Sequence, residues 1–439
     1  MSDTSMSGGM SLELLEVGER ARREPKGRFH SLAHRMDVLA LERAYRRTRK
    51  SAAVGVDGVT KEQYGQNLEA NLQDLHARMK AKRYRHQSIR RTHIPKEGGK
   101  TRPIGISAFE DKLVQGALRE VLEAIYEQDF LDCSYGFRPE RGPHDAVRTL
   151  TRVVDQGQVN WILEADIVSF FDSLNRNQLK EMLEVRVADG SLLRLIGKCL
   201  HVGVLDGEEF STSETGTVQG SVLSPLLGNV YLHYVLDLWF ERRVKPQLRG
   251  QAILVRYADD FVIGFEDKGD AERVMDDLGK RLEHFGLTLH PDKTHLLPFR
   301  RPPVRQQGGK GQATFDFLGF TFFWTRTRRG RWALRCKTRS ARLRRFIGSV
   351  SDWCRRHRHR PVAVQHRALK RRIQGHFNYF GVSGNFRALQ LVIAAVRRAW
   401  YKWLCRRSQR KRLTWERFAD LLRDFPLPKP RIVVPLWGS

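Results

Sequence analysis

Three aspartates in this 439-residue chain stand where a metal-dependent reaction could take place. Asp166 ends the apolar run WILEAD, and the adjacent pair Asp259 and Asp260 lies in RYADDFVI, between two apolar, strand-like halves. Two carboxylates at a hairpin tip repel each other, and a divalent cation would relieve that repulsion. Sparse carboxylates suit magnesium, and two metal ions about 3.5–4 Å apart can stabilise the attacking and leaving oxygens of a phosphoryl displacement. The pattern therefore predicts two-metal phosphoryl-transfer chemistry.

The two adjacent aspartates need not share one role, because successive side chains of a strand point to opposite faces. We expect Asp259 to bridge the metals with Asp166. The alternative interpretation is a surface hairpin with Asp-Asp in its turn, and for a bare pair it would be preferred. Here an aromatic and a small residue precede the pair and apolar strands flank it, which favours the functional interpretation.

The segments around these aspartates have the patterns of strands and helices. Gln251–Phe265 predicts two strands around a tight turn, Trp161–Val168 a buried strand, and Thr314–Trp324 a β segment rich in Phe. Beyond Thr338 the pattern is helical and basic. Mixed elements followed by helices alone predict an α+β catalytic body and a separate helical module, with the boundary near Arg300–Ala313.

The positive charge of the chain is confined to one segment. The formal net charge is +29, and between Arg300 and Arg412 there are 31 Lys and Arg against two acids, while the remaining residues balance. Such confinement predicts a surface that neutralises phosphates. Aromatics interleave with these cations, as in proteins that bind RNA loops and single strands. The alternative, which we favour for most of them, is that the aromatics form the helical core: Trp332, Trp353, Phe377, Tyr379, Phe380, Trp400, Tyr401 and Trp403.

Composition also excludes several classes of protein. No run approaches the eighteen apolar residues of a membrane span, and the first residues, MSDTSMSGGMSLELLE, lack the pattern of a secretory signal. We therefore expect a cytoplasmic protein without a membrane partner. The five cysteines form no CxxC pair, which argues against a zinc ribbon or a cysteine-bearing nuclease finger.

Seven motifs in the correct order resemble those of the group II intron-encoded reverse transcriptase/maturase family. RYADDFVI resembles the Tyr-x-Asp-Asp catalytic hairpin of reverse transcriptases. The other motifs are IPKEGGKTRPIGI (94–106), SYGFRPERGPHDA (134–146), ADIVSFFDS (165–173), TGTVQGSVLSPLLGNVYLH (215–233), GLTLHPDKTHL (286–296) and FDFLGFTF (315–322). GHFNYFGVSGN (375–385) resembles the maturase or thumb region, so the likeness covers roughly residues 30–410. One motif alone would be weak evidence, but the ordered set is specific.

The resemblance implies a metal site. Two Mg²⁺ ions, with Mn²⁺ as a substitute, would be held by Asp166, Asp259 and Asp260, with the main-chain carbonyl of Ile167 as a further ligand.

The resemblance also implies a nucleotide site. Lys96 and Arg102 would bind the triphosphate of a dNTP, since Arg offers a bidentate fork and Lys a point charge. Phe171 would lie under the sugar and collide with a 2′-hydroxyl, although a core phenylalanine is the preferred interpretation from the sequence alone. Gln219 would line the nucleotide pocket, and Lys293 is a further candidate for phosphate contact.

The implied fold is α+β: right-hand polymerase fingers and palm with an antiparallel palm sheet, then an all-α basic thumb/maturase module. The expected domains are a flexible leader (1–30), fingers and palm (31–300), a primer-supporting segment and linker (301–335), the thumb/maturase region (336–412) and a short Pro-rich tail (413–439).

Two departures from the family pattern stand out. Motif four usually reads Pro-Gln-Gly-Gly, whereas here Val218, Gln219, Gly220 and Ser221 occupy those positions, which is expected to alter the rigidity of the turn. The 27 residues after Arg412 are too few for the cysteine-rich nuclease domain of some relatives.

The function that these features imply is RNA-directed DNA synthesis, with an RNA template, a DNA primer or target, and dNTPs. Binding of structured intron RNA, assistance in splicing and a role in retrohoming would accompany it. The alternatives are a maturase with a vestigial polymerase site, or a domesticated reverse transcriptase acting in phage defence or repair. The intact set of three aspartates argues against a vestigial site, because a binding protein would lose little by losing one of them.

Overall fold

The computed structural model describes residues 11–95, 101–206, 209–211, 216–217, 219–303, 313–327, 329–407 and 413–436. The helices are α1 (Leu12–Arg23), α2 (Val38–Arg47), α3 (Lys61–Gly65), α4 (Leu68–Lys80), α5 (Phe109–Asp129), α6 (Pro143–Asp155), α7 (Phe170–Ser173), α8 (Arg176–Glu184), α9 (Gly190–Leu200), α10 (Ser224–Leu232), α11 (Lys268–His284), α12 (Ser340–His357), α13 (Val362–Phe380), α14 (Phe386–Cys405) and α15 (Trp415–Asp424). The strands are β1 (Ile89–Pro95), β2 (Thr101–Ile106), β3 (Trp161–Asp166), β4 (Val204–Asp206), β5 (Glu209–Ser211), β6 (Ala252–Tyr257), β7 (Asp260–Phe265), β8 (His295–Pro298), β9 (Phe315–Phe317), β10 (Phe320–Arg326) and β11 (Trp332–Thr338).

The chain divides into two compact units that are interleaved along the sequence. Unit 1 comprises Met1–Glu140, Asp166–Gln247 and Asp276–Pro291, and unit 2 comprises Arg141–Ala165, Leu248–Met275 and Asp292–Ser439. The predicted α+β composition is confirmed. The sequence placed one boundary near residues 300–313, whereas each unit is assembled from three separate stretches of the chain.

The core of unit 1 surrounds α5, in which 13 of 21 residues are buried, among them the polar residues Asp111, Gln115 and Glu120. Small residues let neighbouring helices approach it closely. A Cβ on Gly18 of α1 would lie 3.2 Å from the carbonyl oxygen of Ala124, and a Cβ on Gly116 of α5 would lie 2.9 Å from the Cβ of Ala44 on α2.

The N-terminal stretch corrects one expectation, because part of the predicted flexible leader is the helix α1. Leu14 and Ala21 are buried, and the Arg186 side chain donates to the carbonyls of Ala21, Glu24 and Gly27 around the helix end. The mixed charge of the first thirty residues had concealed this apolar face.

Unit 1 also contains a four-stranded sheet in the order β2-β1-β4-β5. Strands β1 and β2 pair antiparallel from Arg90–Ile106 to Pro95–Thr101. This hairpin carries Arg102 on β2, and Gly105, further along β2, donates its N–H to the carbonyl of Gln219 at 2.7 Å. The sheet therefore fixes the backbone at Gln219.

Unit 2 contains a four-stranded sheet in the order β6-β7-β3-β8. The pairs β6/β7 and β3/β8 are antiparallel, with registers Tyr257–Asp260 and Leu163–Leu296. Consecutive apolar residues of β6 and β7 are buried, which indicates strands covered on both faces: Leu254, Val255, Phe261, Val262 and Ile263. The strands predicted at Gln251–Phe265 and Trp161–Val168 are thus present.

A second sheet of unit 2, in the order β11-β10-β9, leads into the helices α12–α15. Trp353, Phe377 and Trp400 are buried among Leu, Ile and Val of α12–α14, so the interpretation of these aromatics as helical core is confirmed. The stretch expected to be a Pro-rich tail begins with α15, whose Phe418 is fully buried in the same core. No described helix is long and apolar enough to span a bilayer.

Candidate functional site

The adjacent aspartates lie at a two-residue hairpin turn in unit 2. Tyr257 pairs with Asp260, which leaves Ala258 and Asp259 as the turn residues. Ala258 has a φ of 58°, and a positive φ at the first turn residue matches the twist of the flanking strands. Glycine is the usual residue at such a position, so the turn stores strain of about 1–3 kcal/mol.

A buried arginine holds this turn in place. Arg256 is fully buried, and its Nη1 donates to the carbonyl oxygen of Ala258 at 3.0 Å. A buried guanidinium needs such partners because its charge is costly to desolvate. Arg256 was not predicted as a site residue, although an arginine inside the apolar run AILVRY was the available signal.

The carboxylates of the turn remain accessible, since Asp259 is half-buried and Asp260 exposed. Carboxylates and carbonyls are the hard oxygen donors that magnesium prefers, and magnesium is commonly bound by one or two carboxylates with waters and substrate phosphates. No group of three or more His, Cys, Asp or Glu among the described residues forms a ready-made metal cage. The donor chemistry of the turn thus fits an ion that is held jointly with substrate.

Asp166 is the last residue of β3, and the main chain turns sharply after it. In unit 1, His290 donates its N–H to the Asp166 carbonyl at 2.7 Å and Val168 donates to Thr288 at 2.9 Å. These bonds flank Ile167 and Leu289, which therefore form a non-hydrogen-bonded pair. The carbonyl of Ile167 consequently points away from residues 288–290, as a metal ligand would require.

The two phenylalanines that follow have different surroundings. Phe170 is buried, whereas Phe171 is half-buried, and their rings meet edge to face at 5.1 Å. Thr217 donates its N–H to the Phe171 carbonyl at 2.6 Å. A Cβ on Gly228 of α10 would lie 3.3 Å from the Phe171 ring. Phe170 is thus the core residue, and part of the Phe171 ring remains accessible.

The structure brings two of the predicted nucleotide-binding residues together. Arg102 donates from Nε to Oε1 of Gln219 at 2.8 Å. Lys293 lies in unit 2 and is exposed at the end of a short 3₁₀ turn, Pro291–Lys293. Lys96 lies outside the described residues.

The FDFLGF motif forms the hairpin β9–β10 in unit 2. Phe317 pairs with Phe320, and the turn residues Leu318 and Gly319 both have positive φ. Tyr379 of α13 donates its hydroxyl to the Leu318 carbonyl at 2.9 Å and stacks on Phe320. The pKa of Tyr379 is raised to about 12, chiefly by burial and in smaller part by Tyr257 and Asp260, whereas Arg342 opposes the shift.

Glu164 connects this hairpin to β3. Its Oε1 accepts the main-chain N–H of Asp316 at 2.5 Å, and it pairs across the sheet with His295 of β8. Burial raises the pKa of Glu164 to about 7, and the Asp316 charge also raises it, whereas the Asp316 N–H, His295 and Arg339 oppose the shift. Neither Glu164 nor the Tyr379 hydroxyl was predicted as a site residue.

Four arginines of unit 2 line a cavity of about 500 Å³ between α12 and α13. Arg372 lies 5.4 Å from the ring of Trp353, whose buried indole forms one wall. The other residues at its edge are Arg360, Val364, Arg367, Ala368 and Arg371. An apolar floor ringed by guanidinium groups suits a phosphate-bearing ligand.

Comparison with known proteins identifies the class to which this fold and site belong. Residues 94–322 match the family model for reverse transcriptase (RNA-dependent DNA polymerase). The match covers half of the chain, and the chain belongs to this family. The family predicted from the ordered motifs is thereby confirmed.

Three relatives show the range of similar proteins. Protein YkfC of Escherichia coli is 32% identical over 327 residues, which are 68% of this chain and 83% of the relative. The group II intron-encoded protein LtrA of Lactococcus lactis is 40% identical over 177 residues, 38% of this chain and 29% of LtrA. Nuclear intron maturase 2 of Arabidopsis thaliana is 26% identical over 233 residues, 44% of this chain and 30% of the maturase.

Proposed function

We propose that this protein is an RNA-directed DNA polymerase that adds deoxynucleotides to the 3′ end of a primer on an RNA template. The observation that carries the proposal is the Tyr-x-Asp-Asp turn: two accessible carboxylates on a strained hairpin, held by the buried Arg256. Membership of the reverse transcriptase family supports the same conclusion.

The metal ligands in this proposal are Asp166, Asp259, Asp260 and the carbonyl of Ile167. Bound Mg²⁺ would supply charge stabilisation to the attacking and leaving oxygens of the phosphoryl transfer. Arg256 and the β6–β7 pairing keep the turn carboxylates at one position, so that little reorganisation is needed when substrate arrives.

The nucleotide ligands in this proposal are Lys96, Arg102, Phe171, Gln219 and Lys293. Because Arg102 uses Nε on Gln219, its two terminal nitrogens are left to donate to a triphosphate. The accessible part of the Phe171 ring would lie under the sugar and exclude a 2′-hydroxyl. Residues 31–300 would then act as fingers and palm, and the β9–β10 hairpin would support the primer.

The basic helices α12–α14 would bind RNA through phosphate contacts, with the template and structured intron RNA as ligands. The charge confined to this region supports the assignment, because each neutralised phosphate releases counterions. The aromatics of these helices are largely used as core, so the cations are expected to dominate affinity and to make it strongly dependent on salt.

Primer extension on an RNA template with dNTPs and Mg²⁺ tests the polymerase. Asp259→Ala should abolish synthesis, whereas Asp277→Ala, which removes an exposed carboxylate on α11, should leave it unchanged. Synthesis that persists in Asp259→Ala would contradict the assignment of the turn as the metal site.

A maturase-type RNA-binding protein is the second candidate, favoured by the intron-encoded and maturase relatives and by the basic helices. It predicts tight, salt-sensitive binding of structured RNA together with no DNA synthesis by the wild-type protein. RNA binding measured between about 50 and 200 mM salt, beside the extension assay, separates the two candidates.

A further inference from the structure

A buried polar network lies beneath the turn at Gln219–Val222 in unit 1. Gln115 of α5 is fully buried, and its Oε1 accepts from the hydroxyl of Ser221 at 3.0 Å and from the N–H of Val222 at 3.1 Å. Ser221 in turn accepts the N–H of Leu223 at 3.3 Å. One side-chain amide thus binds two groups of the turn from 106 residues away.

The orientation of the Gln115 amide is fixed from its other side. Its Nε2 lies 3.1 Å from the Ser107 hydroxyl and 2.9 Å from Nε2 of His86. The amide nitrogen can only donate, so Nε2 of His86 must accept and the imidazole proton lies on Nδ1. That nitrogen is 2.7 Å from the Gln87 carbonyl and 3.3 Å from Asp111. A flipped amide would set Nε2 against the Val222 N–H, which can only donate, so Oε1 is directed at Ser221 and Val222.

The opposite side of the turn is held by β2. Gly105 donates to the carbonyl of Gln219 at 2.7 Å, and Arg102 holds the Gln219 side chain. Gly220 has a φ of 108°, and a Cβ there would lie 2.6 Å from the carbonyl oxygen of Gly105. The turn is therefore confined between β2 and α5.

We propose that Gln115 and Ser221 are positioning residues that hold Gln219 in the geometry required for dNTP binding, an inference that rests on the proposed polymerase function. In this chain Ser221 stands where the motif usually has glycine, and Val218 where it usually has proline. The Ser221 hydroxyl supplies through a hydrogen bond the restraint that proline would supply through its ring. The departure from the usual motif is thus compensated by Gln115.

Steady-state primer extension with a varied dNTP concentration tests this role. Ser221→Ala should raise the KM for dNTP about fivefold and Gln115→Met about tenfold, with kcat within about twofold of wild type, because a loosened turn weakens binding more than chemistry. Ser221→Thr keeps the hydroxyl and should restore the wild-type KM. Ser349→Ala removes a hydroxyl that bonds to a main-chain carbonyl on α12 and should change nothing.

Hydrogen exchange at the Val222 amide gives a readout that is independent of activity. Exchange should be faster in Gln115→Met than in wild type while amides in the middle of α5 keep their protection, which separates local release from unfolding. An unchanged Val222 exchange rate, or an unchanged KM in both variants, would overturn the inference. A wild-type protein that makes no DNA would refute the proposed function instead, and the exchange rate would still decide whether Gln115 holds the turn.

Discussion

Two turns of this protein are held in different ways. The turn at Ala258–Asp259 is held by Arg256, which lies on the strand leading into it. The turn at Gln219–Val222 is held by Gln115, on a helix 106 residues earlier in the chain. The first restraint forms together with the hairpin, whereas the second exists only after α5 and the turn have packed together. A local restraint lets a turn keep its conformation whatever packs around it. A remote restraint makes the conformation of the turn depend on the packing of its unit.

The contrast between the two turns requires that the Ala258–Asp259 turn depend on Arg256. Arg256→Met removes the donor to the Ala258 carbonyl and should lower kcat for primer extension about 100-fold, because small displacements of catalytic groups have effects of that size. Arg249→Met, at an exposed arginine before β6, is the matched control. Wild-type kcat in a folded Arg256→Met protein would show that the hairpin positions itself without this contact.

A third turn, Leu318–Gly319, extends the comparison. Strand β9, which leads into this turn, is held by the carboxyl of Glu164, and protonation of that carboxyl makes the contact depend on pH. The folded pKa of Glu164 is about 7, above its ordinary value of 4.5. The folded protein therefore holds the proton of Glu164 more tightly than the unfolded chain does. The free energy of unfolding has its full value below about pH 4.5 and falls as the pH rises through 7, where the buried carboxyl must ionise. Glu164→Gln mimics the protonated form and should unfold at a higher temperature than wild type at pH 8, by an amount equivalent to about 1–3 kcal/mol. Near pH 4.5 the two proteins should coincide.

The control for this pH dependence is Glu272→Gln, at an exposed carboxylate of unit 2. Its melting temperature should follow the wild-type profile across the same range. A Glu164→Gln protein with that same profile would mean that Glu164 titrates as an ordinary surface carboxylate.

The Leu318–Gly319 turn is held by the hydroxyl of Tyr379, which is remote in the sequence. In this it resembles the turn at Gln219–Val222, which the amide of Gln115 holds. Tyr379→Phe keeps the stacking on Phe320 but removes the bond to the Leu318 carbonyl, which should cost about 1 kcal/mol and shorten the extension products. Tyr401→Phe removes an equivalent bond to the Leu413 carbonyl. It should lower the melting temperature by a similar amount while leaving product length unchanged, and equal effects on product length would contradict a specific role for Tyr379.

The smallest expected effect concerns backbone strain. Ala258→Gly relieves the positive φ but adds chain entropy to the unfolded state, so a net stabilisation of about 0.5 kcal/mol is expected. Ala258→Val should instead destabilise the protein by more than this, because a branched side chain resists positive φ. Thermal denaturation of both variants measures the difference, and a Gly variant less stable than wild type would show that the turn is unstrained.

The sequence predicted the parts of the fold that local pattern controls. Alternation and apolar runs located β6, β7 and β3, and the spacing of charge located the basic helices. Helix α1 was not predicted, because its buried face depends on contact with α5 at Gly18. The interleaving of the two units was not predicted either, because it depends on contacts between segments that are distant in the sequence.

The candidate site divides along the same line. The aspartates, Arg102 and Gln219 were recognisable from residue type and motif. Arg256, Gln115 and Glu164 were not, because a polar residue in an apolar pattern does not reveal the group that it will bind. The partners of Gln115 and Glu164 are groups more than 100 residues away in the chain, which only the fold brings within reach.

The bond between Gln115 and Ser221 has a consequence for how this sequence can change over generations. A substitution at position 115 changes which residues are favoured at position 221, and the reverse also holds, although neither side chain is expected to contact substrate. Among relatives, residues 115 and 221 should therefore vary as a pair, with glutamine retained where position 221 carries a hydroxyl. Lineages that carry proline and glycine in the turn should tolerate a wider range of residues on the helix.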